Sequence, residues 1–257
     1  MNGEMYQICS IVAAGRKAIQ AESPIKYIPA KYENAITFLC LPQRNLISSK
    51  KYNAPDVPTW FEYLKNKGLQ DIKLFCPFIV KERQLLGFSN TTESSILCFF
   101  KDGRATYFVP EWQFDSGKKH WNVRYTEHDW RNPSSEKLCF KNNIESFRKA
   151  LADIQDLAIK IECDYFAHVF ADAISILNGS DQYPDKRYGL ILPEIPQKNL
   201  QLFEAASCAD VFGAMGSWND SPPYMAHEKG LDKEYESLSA ELLKNIRLAV
   251  LYAINEW

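Results

Sequence analysis

The spacing of apolar positions changes once along this chain. From about Pro24 to Trp130 they alternate or gather in short β-rich runs, and from Asn142 onward they recur every three or four residues. The first pattern belongs to half-buried strands, the second to amphipathic helices. Ile25 to Ala30 and Ala35 to Leu41 are predicted strands around a Tyr32-Glu33-Asn34 turn. Ser95 to Phe100 and Arg104 to Val109 flank Lys101-Asp102-Gly103. Asp-Gly between two such runs signals a hairpin. His120 to Glu127, after a Ser116-Gly117 turn, extends that hairpin into a meander. Ile72 to Val80 and Gln84 to Phe88 are further predicted strands.

Helices interrupt and then replace this pattern. A short one is expected over Met5 to Gln20. In a second, Asp56 caps, Pro58 occupies the first turn, Trp60, Phe61 and Leu64 form the apolar face, and Gly68 ends it. In the helical half, Phe147, Leu151, Ile154, Ala158, Ile161 and Tyr165 form one stripe. After Cys163 a second stripe appears on the other side, from Phe166 through Phe170 and Ile174 to Leu177. A helix apolar on two sides is buried on two sides. This helix, or helix pair, is therefore expected to cross the middle of the domain until Asn178-Gly179 stops it. Two more helices are expected, from Gln197 to about Val211 and from about Asp232 to the end, the last with Tyr235, Leu238, Leu242, Ile246, Ala249 and Ala253 on one face. The fold class that follows is α+β: an antiparallel sheet in the N-terminal half (1–131), covered by a C-terminal helical half (140–257), as a single domain. Asn132-Pro133-Ser134-Ser135 is the one joint between them.

Composition narrows the function classes. In 257 residues, 46% are hydrophobic, and 30 basic residues are outnumbered by 32 acidic ones. This is globular composition without the basic excess of a nucleic-acid binder, so another protein is the favoured partner. The longest stretch free of Asp, Glu, Lys and Arg, Met5 to Gly15, falls short of the roughly 20 apolar residues of a membrane span. The basic residues Arg16 and Lys17 follow it instead of leading it, unlike a secretory signal. Seven cysteines stand singly, with no Cys-x-x-Cys, several inside apolar words such as Phe38-Leu39-Cys40-Leu41. They read as small buried hydrophobes in a reducing, cytoplasmic setting, with neither a disulfide framework nor a zinc cluster.

Four groups carry candidate chemistry. His168 and Asp172 continue the stripe that begins at Phe147, with Asp164 at its edge. An imidazole beside a carboxylate on one helix face is how a general base is oriented. The competing expectation is a kink near Cys163 that turns them to solvent. The segment from Asp210 to Pro223 holds Gly213, Gly216, Ser217, Trp218, Asn219 and Asp220 just ahead of two prolines. It is neither a P-loop nor a nucleophile elbow, but it could form a rigid ligand wall. Gly216 to Asp220 are its binding candidates; an ordinary helix cap and turn is the alternative. His120 and His128 share one face of a strand with Asn122, Arg124 and Thr126, about 26 Å apart and so no metal pair. With Trp112 and Trp130 nearby they could belong to a recognition surface. His227-Glu228 precedes the last helix and matters only if folded against the glycine loop. Abundant carboxylates (Asp153, Asp156, Asp181, Asp185) read as wet faces.

Two function classes remain. The first is an intracellular non-enzymatic binding protein, regulatory or toxin-neutralising, resting on the absence of a catalytic signature. The second is a hydrolase-like enzyme with His168 as base, Asp172 or Asp164 as its orienter, and loop amides as an oxyanion site. A small-molecule ligand is compatible with either. No cofactor, metal or oligomeric state is legible. A pocket shared by the loop and His168 would favour the enzyme; a loop packed solidly on helices would favour the binder.

Overall fold

A computed structural model describes residues 1–42, 51–130, 138–180 and 190–257. The expected joint at Asn132-Pro133-Ser134-Ser135 lies outside them, as do Asp181 and Asp185. The chain runs α1 (Gly3–Gln20), β1 (Glu33–Cys40), β2 (Tyr52–Ala54), α2 (Val57–Asn66), β3 (Leu69–Phe75), β4 (Ser95–Phe100), β5 (Ala105–Asp115), β6 (His120–Asp129), α3 (Ile144–Lys160), α4 (Asp164–Leu177), α5 (Gln197–Ala209), α6 (Pro222–Glu228) and α7 (Asp232–Asn255), with a 3-10 turn at Arg83–Gly87. The protein is α+β, with the strands in the N-terminal half and mostly helices at the C-terminal end. Among the described residues no helix is long and apolar enough to cross a membrane.

The six-stranded sheet has the order β2-β1-β6-β5-β4-β3. β4 to β6 form the antiparallel meander expected from the turn chemistry, with β3 added antiparallel on β4, and Gly103 supplies a φ of +79° at its hairpin. The sheet is mixed, however, and not purely antiparallel: β1 runs parallel to β6, with Phe38 opposite Tyr125. Turn signals report only on strands joined by a short loop. The β1–β6 pair joins strands separated by the whole intervening chain, so no turn signal reports its direction.

Three local expectations change as well. Residues 25–30 are not a ladder strand, β3 stops at Phe75, and the predicted strand at 84–88 is the 3-10 turn. The long helix is two helices. α3 ends in a Schellman motif, with Cys163 N bonded to Ala158 O and Glu162 N to Ile159 O. Glu162 takes the left-handed position at φ +59°. The break resets the helical phase, so Tyr165 leaves the stripe and is exposed while Phe170 is fully buried.

The element buried most nearly all round is α1. Asn2 Oδ1 caps it by accepting from Met5 N at 3.1 Å. Ile8, Cys9, Ile11 and Val12 are wholly inaccessible, because α1 packs on β3 and β4 and also touches α7. α2 covers β1 and β3, and α7 reaches β3 from the C-terminal half. One continuous apolar core joins all these elements.

Candidate functional site

A cavity of about 620 Å³ opens between α4, α5 and the loop that follows α5. α4 contributes Tyr165, His168 and Asp172; α5 contributes Glu204, Ser207 and Cys208; the loop contributes residues 211–217. The structure thus brings His168 and Asp172 to one cavity with Gly216 and Ser217, although the two pairs are far apart in sequence. Both α4 side chains are exposed at its wall, on the face that the break at Glu162 turns outward. Asp164 does not line the cavity. Its backbone carbonyl accepts the His168 Nδ1–H at 2.6 Å, which leaves Nε2 as the unprotonated nitrogen of the neutral ring.

The hydrogen bonds around the cavity are committed elsewhere. His168 has no carboxylate partner among the described residues, and no hydroxyl or thiol is hydrogen-bonded to its ring. Ser207 Oγ lies 2.5 Å from the Tyr6 hydroxyl, and the Cys208 thiol donates to Val169 O at 3.7 Å. Ser217 Oγ accepts from Asn219 N at 3.2 Å. The amides of residues 216–220 are consumed by the loop itself. Gly216 N donates to Asp220 Oδ2 at 2.7 Å, Ser217 N to Ala214 O, Trp218 N to Val211 O and Asp220 N to Ser217 O. An oxyanion site needs converging amides that are free to donate. Gly216 to Asp220 offer none.

Trp218 is the bolt of this loop and not part of the cavity wall. Its ring is fully buried, stacked on Tyr235 at 5.5 Å and met edge-on by Phe166 and Phe170. Its Nε1 donates to Ser239 Oγ at 2.8 Å, and its carbonyl accepts from the Tyr235 hydroxyl at 2.6 Å. Asn219 Nδ2 ties the loop to Arg83 O at 3.1 Å and to Gly213 O at 3.3 Å. Of the five loop candidates, Gly216 and Ser217 face the cavity, while Trp218, Asn219 and Asp220 hold the loop in shape. The sequence reading missed the support from the Arg83–Gly87 turn. A Cβ on Gly87 would lie 2.3 Å from Ala214 N, so this glycine lets the turn abut the loop. Read as a strand, that segment gave no such signal.

The remaining candidates lie elsewhere. His120 Nδ1 donates to Lys118 O, and His128 stacks on Tyr107 at 5.2 Å, both within the β5–β6 hairpin. His227 pairs with Asp232 at 2.9 Å. That contact raises the imidazole above its usual range. Asp153 takes the Lys149 ammonium at 2.6 Å on α3. A second cavity, of about 480 Å³, lies beside the first and shares Leu190 with it; Tyr32, Phe88, Trp112 and Trp121 form its aromatic wall. Trp130 packs near Phe99 outside it. Among the described residues no three His, Cys, Asp or Glu side chains are grouped to hold a metal ion. No protein-family model, curated protein or solved structure matches this chain.

Proposed function

We propose that this chain is a non-enzymatic, regulatory binding protein that seats part of a partner protein in the cavity between α4, α5 and the glycine loop. The observation that carries the reading is the commitment of donors around an open cavity. The amides of residues 216–220 are bonded within the loop, and His168 is held by its own helix instead of by a carboxylate. The rim supports a protein partner. Tyr165 is 59% exposed and Met215 94% exposed at the mouth. Tyr is favoured as an interface anchor, and the flexible thioether of Met adapts to a partner side chain. A wall fixed in advance loses little entropy on binding.

A photo-crosslinking residue in place of Met215, introduced into the full chain in its native host, tests this. One discrete polypeptide adduct is expected, lost when Tyr165 is changed to Glu and absent with the crosslinker at Lys149. Absence of any adduct at Met215, or the same adduct from Lys149, would refute it.

The hydrolase-like alternative is favoured by the one observation set apart for it: His168, Asp172, Gly216 and Ser217 share one cavity. It requires hydrolysis of an activated ester or amide that His168→Ala abolishes without a change in melting temperature.

A further inference from the structure

Three cationic side chains are buried among the described residues: Arg16, Lys73 and Arg247. Two have a counter-charge. Arg16 Nη1 lies 3.0 Å from Asp71 Oδ1, and Lys73 Nζ lies 3.3 Å from Glu256 Oε1. Arg247, only 3% exposed within α7, has no carboxylate within 4.0 Å among the described residues. Its Nη1 donates to the Met5 thioether at 3.2 Å, its guanidinium also meets the Cys76 thiol, and its Nε has no partner. Sulfur is a weak acceptor, and a guanidinium cannot shed its proton to escape burial. An unpaired buried charge is costly enough to call for a counter-ion.

The surroundings of Arg247 leave room for one. It lines a cavity of about 240 Å³ together with Asn2, Met5, Leu86, Phe212 and Asp210. The cavity lies at the start of α1. There Asn2 Oδ1 takes up only Met5 N, and the first amides have no acceptor within the helix. Helix N-termini favour anions. The carboxylate on this wall, Asp210, faces the Met1 amine at 3.9 Å. A helix terminus alone would say little, but here a buried, partly unpartnered guanidinium opens on the same space.

We propose that this cavity is a binding site for a small oxyanion, the phosphate or carboxylate group of a free metabolite or of a larger ligand, which pairs with Arg247. The inference does not rest on the protein-binding reading: the cavity adjoins the first, sharing Met1, Asp210 and Phe212 with it, but its donors, Arg247 and the start of α1, are different.

Thermal melting of the full chain tests it, with sodium phosphate, acetate or chloride at matched ionic strength. A rise in melting temperature that saturates at low-millimolar phosphate or acetate, and is absent with chloride, is expected. The general stabilising effect of phosphate on proteins does not saturate in that range. A response to phosphate alone points to a phosphate ligand, and a response to acetate to a carboxylate. Arg247→Met should abolish the response. Asn2→Asp keeps a side-chain cap for α1 while adding a negative charge at the cavity edge, and should weaken the apparent affinity about tenfold or more. Identical melting in all three salts would overturn the proposal. So would a saturable rise that persists unchanged in Asn2→Asp and in any Arg247→Met protein that folds.

Discussion

Glu4 stands in the first turn of α1, where a carboxylate suits the helix dipole, yet it is buried. Desolvation holds its carboxyl above the usual carboxylate range, against hydrogen bonds from Asn90 N and the Thr92 hydroxyl. A carboxyl raised in the folded state favours folding while protonated, and that contribution is lost as pH rises through its folded value. Glu4→Gln should therefore gain stability relative to wild type at pH 7. The difference should shrink as pH falls toward the ordinary range near 4.5. Urea titrations of both proteins at several pH values check this; a gap that widens on acidification would contradict it. The cysteines divide by position. Cys9, Cys40, Cys76 and Cys98 are buried, and burial lifts their thiols, Cys40 to about 12. Rapid labelling of native protein should reach exposed Cys139 first, half-buried Cys163 and Cys208 more slowly, and the other four only after unfolding. Apolar neighbours made most of this legible, although Cys139 sits in a Leu-Cys-Phe word and is exposed all the same. Trp218 was legible as an ordered, at least partly buried residue, and it is fully buried. Loop composition signals rigidity, but Ser239 and Tyr235, which decide where the ring points, lie a helix away.

At the scale of elements, phase carries the information and can be lost at one residue. Gly68 and Gly179 end α2 and α4 at φ +85° and +94°, as their residue type foretells. Glu162 does the same work at φ +59° with no such flag. The stripe from Phe147 to Ile161 therefore reads on into Tyr165, which is exposed. The same break turns His168 and Asp172 to the cavity wall instead of the core. Glu22 is a second left-handed residue, closing α1 at φ +48° with Ser23 N bonded to Ala18 O. An L side chain there costs roughly 1–2 kcal/mol, and glycine gives part of that back in unfolded-state freedom. Glu22→Gly should raise stability by up to about 1 kcal/mol in a denaturant titration. Any clear loss would mean that the glutamate makes a stabilising contact. Phe170→Ala, where α4 meets Trp218, should cost about 3–5 kcal/mol. The half-buried Phe166 should cost less. Equal, small losses at both would show that α4 is not anchored through this face.

For the molecule as a whole, the change of hydrophobic period reveals the fold class, because each half buries its own face. What it hides is long-range. The parallel seam between β1 and β6, the burial of α1 between sheet and helices, and the support of the glycine loop by a distant turn all join residues with no local signature. The cavity is legible to the same degree. The enzyme reading joined the glycine loop and the His168/Asp172 face in one pocket, and they do share one; the α5 wall from Glu204 to Cys208 carried no such signal. The central claim is that this cavity binds and does not react, and it rests on the amides of Gly216 to Asp220 being already spent. Amide hydrogen exchange, resolved residue by residue over Gly216 to Asp220, tests it most directly. Exchange at least about tenfold slower than in an unstructured chain is expected at these amides, slowest at Trp218. Free exchange at Gly216 and Ser217, in a loop that keeps Trp218 buried, would mean that donors are available to a reacting oxygen, and would contradict the account.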